Sequence, residues 1–351
     1  MKIRQIPRKP LVSIEDVARE SGVSPATVSR VINNFPSVKE VNRQKVLAAI
    51  KKLKFQPSVF AQRLAKGRSN VVGLVIPRYE GVFYSFYVLE LIRGIGTMCE
   101  VLKLDLLLHL TSSKSSLDLN LKGLGGIIFA DIIGNQHQLD YALEQGLPCV
   151  VINHYVDNPD VSCISIDNTA GAKEAVNYLA GLGHKRISHI TGDLITQAAQ
   201  QRLEGYKKAL EINKLEFKPD YVVKTDYSRG QARSAAYQLL RLSQPPTAIF
   251  VASDSMALEV MAVATELSKK IPRDFSIIGF DDNPSGLYAP VALTTVRQPL
   301  IKMAEEAVKE LNRLMSSRTS KVTKRVLPCE LVIRESCARP VVTNTNKISK
   351  I

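Results

Sequence analysis

The chain carries two hydrophobic rhythms, one helical and short-range, the other strand-like. In the run SIEDVARESGVSPATVSRVIN (13–33), Ile14, Val17 and Ala18 recur at helical spacing behind Ser13, and Asp16 three residues on completes a capping-box pattern. Gly22 supplies a left-handed stop. Ser24 then caps a second helix, with Pro25 at the first helical position, where a missing N–H costs nothing. Its stripe of Ala26, Val28, Val31 and Ile32 is expected to pack on the first helix, leaving Thr27, Ser29, Arg30 and Asn33 facing outward. A third amphipathic helix, Asn42 to Leu53, offers Val46, Leu47, Ile50 and Leu53 to the same small core. Gln56-Pro57-Ser58 opens one more, SVFAQRLAKG, apolar through Phe60, Ala61 and Leu64 and basic through Arg63, Lys66 and Arg68. Two helices about a glycine turn with a polar second helix make a helix-turn-helix, although an ordinary αα-hairpin would show the same caps.

From Val71 the rhythm changes to short β-rich runs separated by helical stretches. VVGLVIP, DLLLHL, GGIIFAD, PCVVINHY and SCISID form one set; ISHITG, YVVKTD, AIFVASD, FSIIGFDD and ALTTV form a second. Strand–helix alternation predicts parallel sheets, here two doubly wound subdomains, which bind ligands beyond the carboxyl ends of their strands. Asn153, Ser253, Asp254 and Asp281 all stand just past such strand ends. Asp254 and Asp282 are read as helix N-caps, and Phe83, Tyr84, Phe86 and Tyr87 as divided between core and ligand.

Charge separates the same two regions. Residues 1–70 hold fifteen lysines and arginines against four acids, so +11 of the chain's net +14 lies there and the rest is nearly neutral. That is the footprint of a nucleic-acid-binding head, though a solvated basic face or an anionic membrane surface would suit the count as well. At 351 residues and 45% hydrophobic, the chain can bury a sizeable core. Five scattered cysteines without a C-x-x-C pair argue against a disulfide framework or zinc site and for a reducing compartment. No run approaches a membrane span or an export signal, so a cytoplasmic protein is expected.

The run from Ser13 to Pro77 resembles the head and hinge of the LacI/GalR family of bacterial transcription regulators. The resemblance continues through DNTAGAKEAVNYLAGLGHKRISHITG (167–192), RLEGYKKAL (202–210), FVASDSMAL (250–258), IPRDFSIIGFDD (271–282) and LTTVRQP (293–299), in the family's order and spacing. It implies an α/β protein: an all-α helix-turn-helix head on a periplasmic-binding-protein-like body of two doubly wound parallel-sheet subdomains. The implied domains are a head over 1–56, a hinge helix and linker over 57–69, a ligand-sensing and dimerising body over 70–339, and a flexible tail over 340–351. Within the body, the N-subdomain takes about 70–167 and 299–328 and the C-subdomain about 168–297 and 329–339, with crossings near Asp167, Gln298 and Pro328. By resemblance Arg30 reads a guanine, as a guanidinium can by donating to O6 and N7. Pro25 and Ala26 offer small apolar contacts to bases, Ser24, Thr27, Ser29 and Asn33 suit phosphates, and Leu64 matches a wedge into the minor groove. Asn153, Arg202, Ser253 and Asp281 match effector-binding positions, Tyr227 an aromatic stacking position and Gln298 a crossover contact, with Phe83 as a second flat face. This chemistry suits a polyol. The expected partners are therefore a pseudopalindromic double-stranded operator, a sugar or sugar derivative, and a second copy of the chain.

Three departures qualify the match. RYEGVFYSF lacks the Asn-Pro that often follows the first strand, residues 111–125 are short for a strand–helix unit, and a basic arm, MKIRQIPRKP, precedes the head. Lys2, Arg4, Arg8 and Lys9 of that arm are read as further phosphate contacts. The tail lacks leucine heptads, so a dimer is expected, not a coiled-coil tetramer. A dinucleotide enzyme would need G-x-G-x-x-G between strand and helix, but Gly94-Ile95-Gly96 is followed by Cys99. His109, His137, His154, His184 and His189 lack metal-ligand spacing, and His184 is read as a turn residue. Neither a cofactor nor a metal is expected, and a secreted solute-binding protein would carry no basic head.

Overall fold

The computed structural model describes residues 12–33, 35–55, 69–78, 82–111, 119–317 and 321–341. The basic arm, the hinge segment with Leu64, the shortened stretch after Thr111 and most of the tail fall outside these residues.

In the head, α1 (Ile14–Ser21) begins at Ser13, whose Oγ accepts from the Asp16 N–H at 3.2 Å while Asp16 Oδ2 accepts from the Ser13 N–H at 2.9 Å. These bonds hold the Asp16 carboxyl below its ordinary value, the backbone bond foremost. Gly22 ends the helix at φ +66°. Helix α2 (Pro25–Ile32) starts from Ser24, which accepts from the Thr27 N–H. Helix α3 (Glu40–Leu53) begins two residues before the expected Asn42. Val17, Ala18, Val28, Val31, Val46 and Ala49 form the core. Two expectations are corrected here. Leu47 is 47% exposed, because the inward stripe of α3 runs 46, 49, 50, 53 and leaves position 47 off it. Ala26 is exposed on the face that carries Arg30, so it does not pack on α1.

The body holds two six-stranded sheets. The first contains β1 (Val71–Pro77), β2 (Asp105–Thr111), β3 (Gly126–Phe129), β4 (Cys149–Ile152), β5 (Val161–Ile166) and β11 (Lys324–Leu327), in the order β11-β5-β4-β3-β1-β2. The second contains β6 (Ile187–Ile190), β7 (Val222–Val223), β8 (Ala248–Val251), β9 (Ser276–Asp281), β10 (Thr294–Arg297) and β12 (Glu330–Val332), in the order β12-β10-β9-β8-β6-β7. Every strand pair is parallel except β10–β12. The chain passes from the first sheet to the second after Ile166, returns after Arg297, and leaves again after Leu327.

Helices α4 (Phe86–Val101), α5 (Gln136–Glu144) and α10 (Leu300–Ser316) belong to the first subdomain; α6 (Asn168–Gly181), α7 (Gln197–Ile212), α8 (Arg229–Leu240) and α9 (Asp254–Glu266) belong to the second. Central strands are apolar and buried along their length, as strands covered on both faces must be. The edge strand β2 differs: Leu107, Leu108 and Leu110 remain exposed. His184 bridges Thr247 Oγ1, Ser276 Oγ and the Ala338 carbonyl at 2.9–3.1 Å, fastening the last described segment to the second sheet. All five cysteines are free, and no helix among the described residues is long and apolar enough to cross a membrane.

Candidate DNA-reading helix and ligand cleft

On α2, Ser24, Pro25, Ala26 and Arg30 are exposed, while Thr27, Ser29 and Asn33 are half-buried. The Ser24 cap fixes the start of the helix, and Asn33 closes its end by donating to the Ser29 carbonyl at 2.9 Å. Among the described residues Arg30 has no ionic partner, so its fork is available to an external acceptor. The neighbouring cations Arg19 and Lys52 are already paired, with Asp16 and Glu20.

In the body, backbone strain and buried polarity meet at the strand ends. Among the described residues of head and body, eight non-glycine residues have positive φ. Lys54, Lys103, Lys214 and Ser268 lie at helix C-termini, where a left-handed residue is ordinary; Asn153, Tyr227 and Asp282 instead follow strands β4, β7 and β9, and Asp281 ends β9. Such conformations cost of order 1–3 kcal/mol each and persist where the surroundings over-determine them, typically around ligands.

Arg202, on α7, is only 3% exposed. Its Nε donates to Asn168 Oδ1 at 2.9 Å, its Nη1 donates to the Ala252 carbonyl, and its plane stacks 3.7 Å from the Phe280 ring centre. Asp281 accepts from Gln298 Nε2. Burial raises the Asp281 carboxyl above its ordinary value, with Arg202 opposing. The fully buried Asp254 accepts from Thr295 Oγ1 at 2.6 Å and the Asn283 N–H at 2.7 Å; burial first, then Asp281, pushes its carboxyl upward.

This corrects the expected helix caps. Ser253 caps α9, accepting from the Met256 N–H, and Asp254 occupies the first helical position with its carboxyl turned into the sheet. Asp282 caps nothing: Arg297 and Arg334 hold it and keep its carboxyl low against the cost of burial.

The Tyr227 ring lies over Gly192, where any Cβ would sit 1.9 Å from the ring. Burial raises its hydroxyl, and the charges acting on that hydroxyl are Arg202, Asp281 and, from the end of β3, Asp131. Groups from both sheets thus bear on one oxygen. Asn153 and Gln298, 9% and 6% exposed, keep amide oxygens without a partner among the described residues. Phe83 and Tyr84 are exposed on a short 3₁₀ turn, whereas Phe86 and Tyr87 pack on the core, the Tyr87 hydroxyl donating to the Ala130 carbonyl.

Three residues that sequence reading passed over belong here. Asp131 and His154 stand 3.6 Å apart just beyond β3 and β4. Gln197, at the start of α7, accepts from the Tyr155 N–H at 2.7 Å and donates to the Tyr155 carbonyl at 3.3 Å, joining the two subdomains. Asp131 and His154 carry the same signal as Asn153, a polar residue one or two places past a strand; Gln197 carries none. No group of three or more metal-ligating side chains occurs among the described residues.

Comparison with known proteins bears on both sites. Residues 13–58 match the profile described as bacterial regulatory proteins, lacI family, and residues 176–337 match that of a periplasmic binding protein-like domain. Catabolite control protein A of Priestia megaterium is 33% identical over 93% of this chain and 99% of its own. The HTH-type transcriptional repressor CytR of Escherichia coli K12 is 32% identical over 92% and 96%. Among solved structures, the lac repressor dimer bound to operator and the anti-inducer ONPF superposes with a TM-score of 0.77 at 25% identity, covering 94% of this chain and all of that one. The transcriptional regulator CelR–cellobiose complex gives 0.68 at 26% identity, covering 93% and 99%.

Proposed function

The chain belongs to the lacI family of bacterial regulatory proteins and is a DNA-binding transcriptional regulator, not an enzyme; on that premise we propose that it is a cytoplasmic, homodimeric repressor whose operator affinity is set by a sugar or sugar derivative held between the body's two subdomains. The proposed domain limits are a head to residue 56, a linker to 69, a body to 339, then the tail. What supports the ligand half is a set of strained or buried polar residues at strand ends, Asn153, Tyr227, Asp281 and Gln298, with Arg202 of α7 acting on Tyr227 and Asp281. Ser253 and Phe83 are assigned to the same site, Ser253 through the hydroxyl hydrogen that its capping role leaves free. A relative solved with cellobiose and another with ONPF support a sugar-like ligand. Exposed leucines 108 and 110, on one face of the edge strand β2, suit contact with a second copy.

On the DNA side, Arg30 is assigned to a guanine, Pro25 and Ala26 to apolar base contacts, and Ser24, Thr27, Ser29 and Asn33 to phosphates. Leu64 is assigned to the operator centre by family likeness alone. Arg30→Ala should weaken operator binding by about 1–3 kcal/mol and relax preference at one base of each half-site. Binding titrations against single-base operator variants check this, and uniform weakening across all sequences would refute the assignment.

A ligand acts only if it binds two arrangements of the body unequally. The Gln197–Tyr155 pair spans the subdomains and favours the arrangement in which it forms. Gln197→Ala should therefore reduce the ligand's effect on operator affinity by about two- to tenfold, on the order of the 0.5–1.5 kcal/mol of a net hydrogen bond. An unchanged response in an operator-release titration would remove the pair from the mechanism.

A further inference from the structure

The cleft lies beyond the carboxyl ends of the strands, where a doubly wound sheet binds its ligand. A second cavity, of about 580 Å³, opens at the other end of the second sheet. Its walls come from the residues just before β6, β8 and β9, from the turn after α9 and from the returning segment at Pro340. That volume is within the range of small-molecule sites, roughly 300–1,000 Å³.

Charge sets this cavity apart from a body that is otherwise nearly neutral. Three cations line it, Arg186, Lys269 and Arg273, against one acid, Asp274. Asp274 is already engaged. It accepts from Arg273 Nε at 3.0 Å and from the Lys270 N–H at 2.8 Å, and these bonds, with Lys269 nearby, hold its carboxyl below its ordinary value. Arg273 is spent on that pair, but the other two cations are not. Arg186 Nε donates to the Pro245 carbonyl at 2.9 Å, which anchors the guanidinium and leaves both Nη nitrogens without a partner among the described residues. The Lys269 ammonium makes no hydrogen bond or ion pair among those residues either. The carbonyls that end α9 would repel an anion, yet they are taken up: Val263, Ala264 and Thr265 accept from the N–H groups of Leu267, Lys269 and Ser268. His184 also lines the cavity, but burial lowers its pKa and both ring nitrogens are engaged, so it is a neutral wall. Leu267, Phe275 and Pro340 supply apolar surface beside the cations.

We propose that this cavity is a second ligand site, for a phosphate-bearing organic molecule whose phosphoryl group is held by Arg186 and Lys269 and whose apolar part lies along Leu267, Phe275 and Pro340. A phosphate monoester carries nearly two negative charges at neutral pH and so answers both unpaired cations, where a carboxylate answers one. The assignment is independent of the cleft. Every wall belongs to the second subdomain or to the segment that His184 fastens to it, so rearrangement of the two subdomains leaves the site unchanged. Its ligand therefore binds both arrangements equally, and stabilises the chain without altering operator affinity.

The test is calorimetric titration of the operator-saturated full chain, in which duplex already occupies the basic head, with AMP and with inorganic phosphate as probes. One AMP should bind per chain, at least about tenfold more tightly than inorganic phosphate, because only AMP reaches the apolar wall. The double variant Arg186→Gln, Lys269→Gln changes two exposed positions and should melt like the parent without AMP, yet bind AMP at least about tenfold more weakly. Absence of AMP binding, inorganic phosphate binding as tightly as AMP, or undiminished affinity in the double variant each overturns the proposal. A change in operator affinity on adding AMP overturns the claim that the site stands outside the switch.

Discussion

Arg202→Ala is expected to lower the stability of the body by about 3–5 kcal/mol and to abolish the ligand response, because the side chain has a structural role as well as a place at the cleft. Its guanidinium is buried between Phe280, Asn168 and the Ala252 carbonyl, and Asn168 in turn donates to Gln201. Removing it strips Asp281 of the positive charge that offsets burial, and leaves two acceptors without donors. From sequence alone, a variant at this position would be expected to lose ligand response and keep everything else. The burial overturns that expectation. Urea unfolding of the full chain measures the loss, and Arg202→Lys should restore only part of it, since an ammonium keeps the charge but not the planar fork. Wild-type unfolding in the alanine variant would show that Arg202 is a surface ligand and that Asp281 is stabilised by other means.

The reason this was not legible in the sequence is instructive. RLEGYKKAL marks Arg202 as a donor by its family position, but whether its bonds go to a ligand or to Ala252, fifty residues away, depends on how α7 meets β8. Signals confined to a few neighbouring residues read well: the Ser13–Asp16 box, the Ser24 cap before Pro25, the Gly22 stop, and ten of the twelve body strands by their apolar runs, the short β11 and β12 being missed. So did the strand-end positions of Asn153 and Asp281, because the doubly wound rule is itself a local pattern. Misreadings came where tertiary context decides. Leu47 misses the inward stripe of α3 by one position, and Asp254 yields its capping place to Ser253 because its carboxyl has Thr295 and Asn283 to satisfy. Gln197 reaches Tyr155 across forty-two residues, and no periodicity announces such a pair.

Gly279→Ala should cost about 2–5 kcal/mol, although it adds one methyl group, because of what lies above it. A Cβ on Gly279 would stand 2.0 Å from Asp254 Oδ1 and 3.0 Å from Leu293. The carboxyl would have to leave, and with it the acceptors of Thr295 Oγ1 and the Asn283 N–H. The control is Gly230→Ala on α8, where nothing lies within 4 Å and alanine is the better helix former, so no loss is expected there. The same carboxyl gives the body a pH dependence whose sign follows from its raised pKa. Between the ordinary carboxylate value and the raised one, folded Asp254 holds a proton that the unfolded chain has released, so the folded state binds more protons and its stability falls as pH rises. Asp254→Asn cannot ionise and should flatten that part of the slope, so the stability gap between wild type and variant should narrow from about pH 5 to about pH 8 in urea titrations of the full chain. A gap that widened over that range would mean the buried carboxyl is stabilised in its ionised form, and the inference that Asp281 and burial together keep it protonated would be wrong.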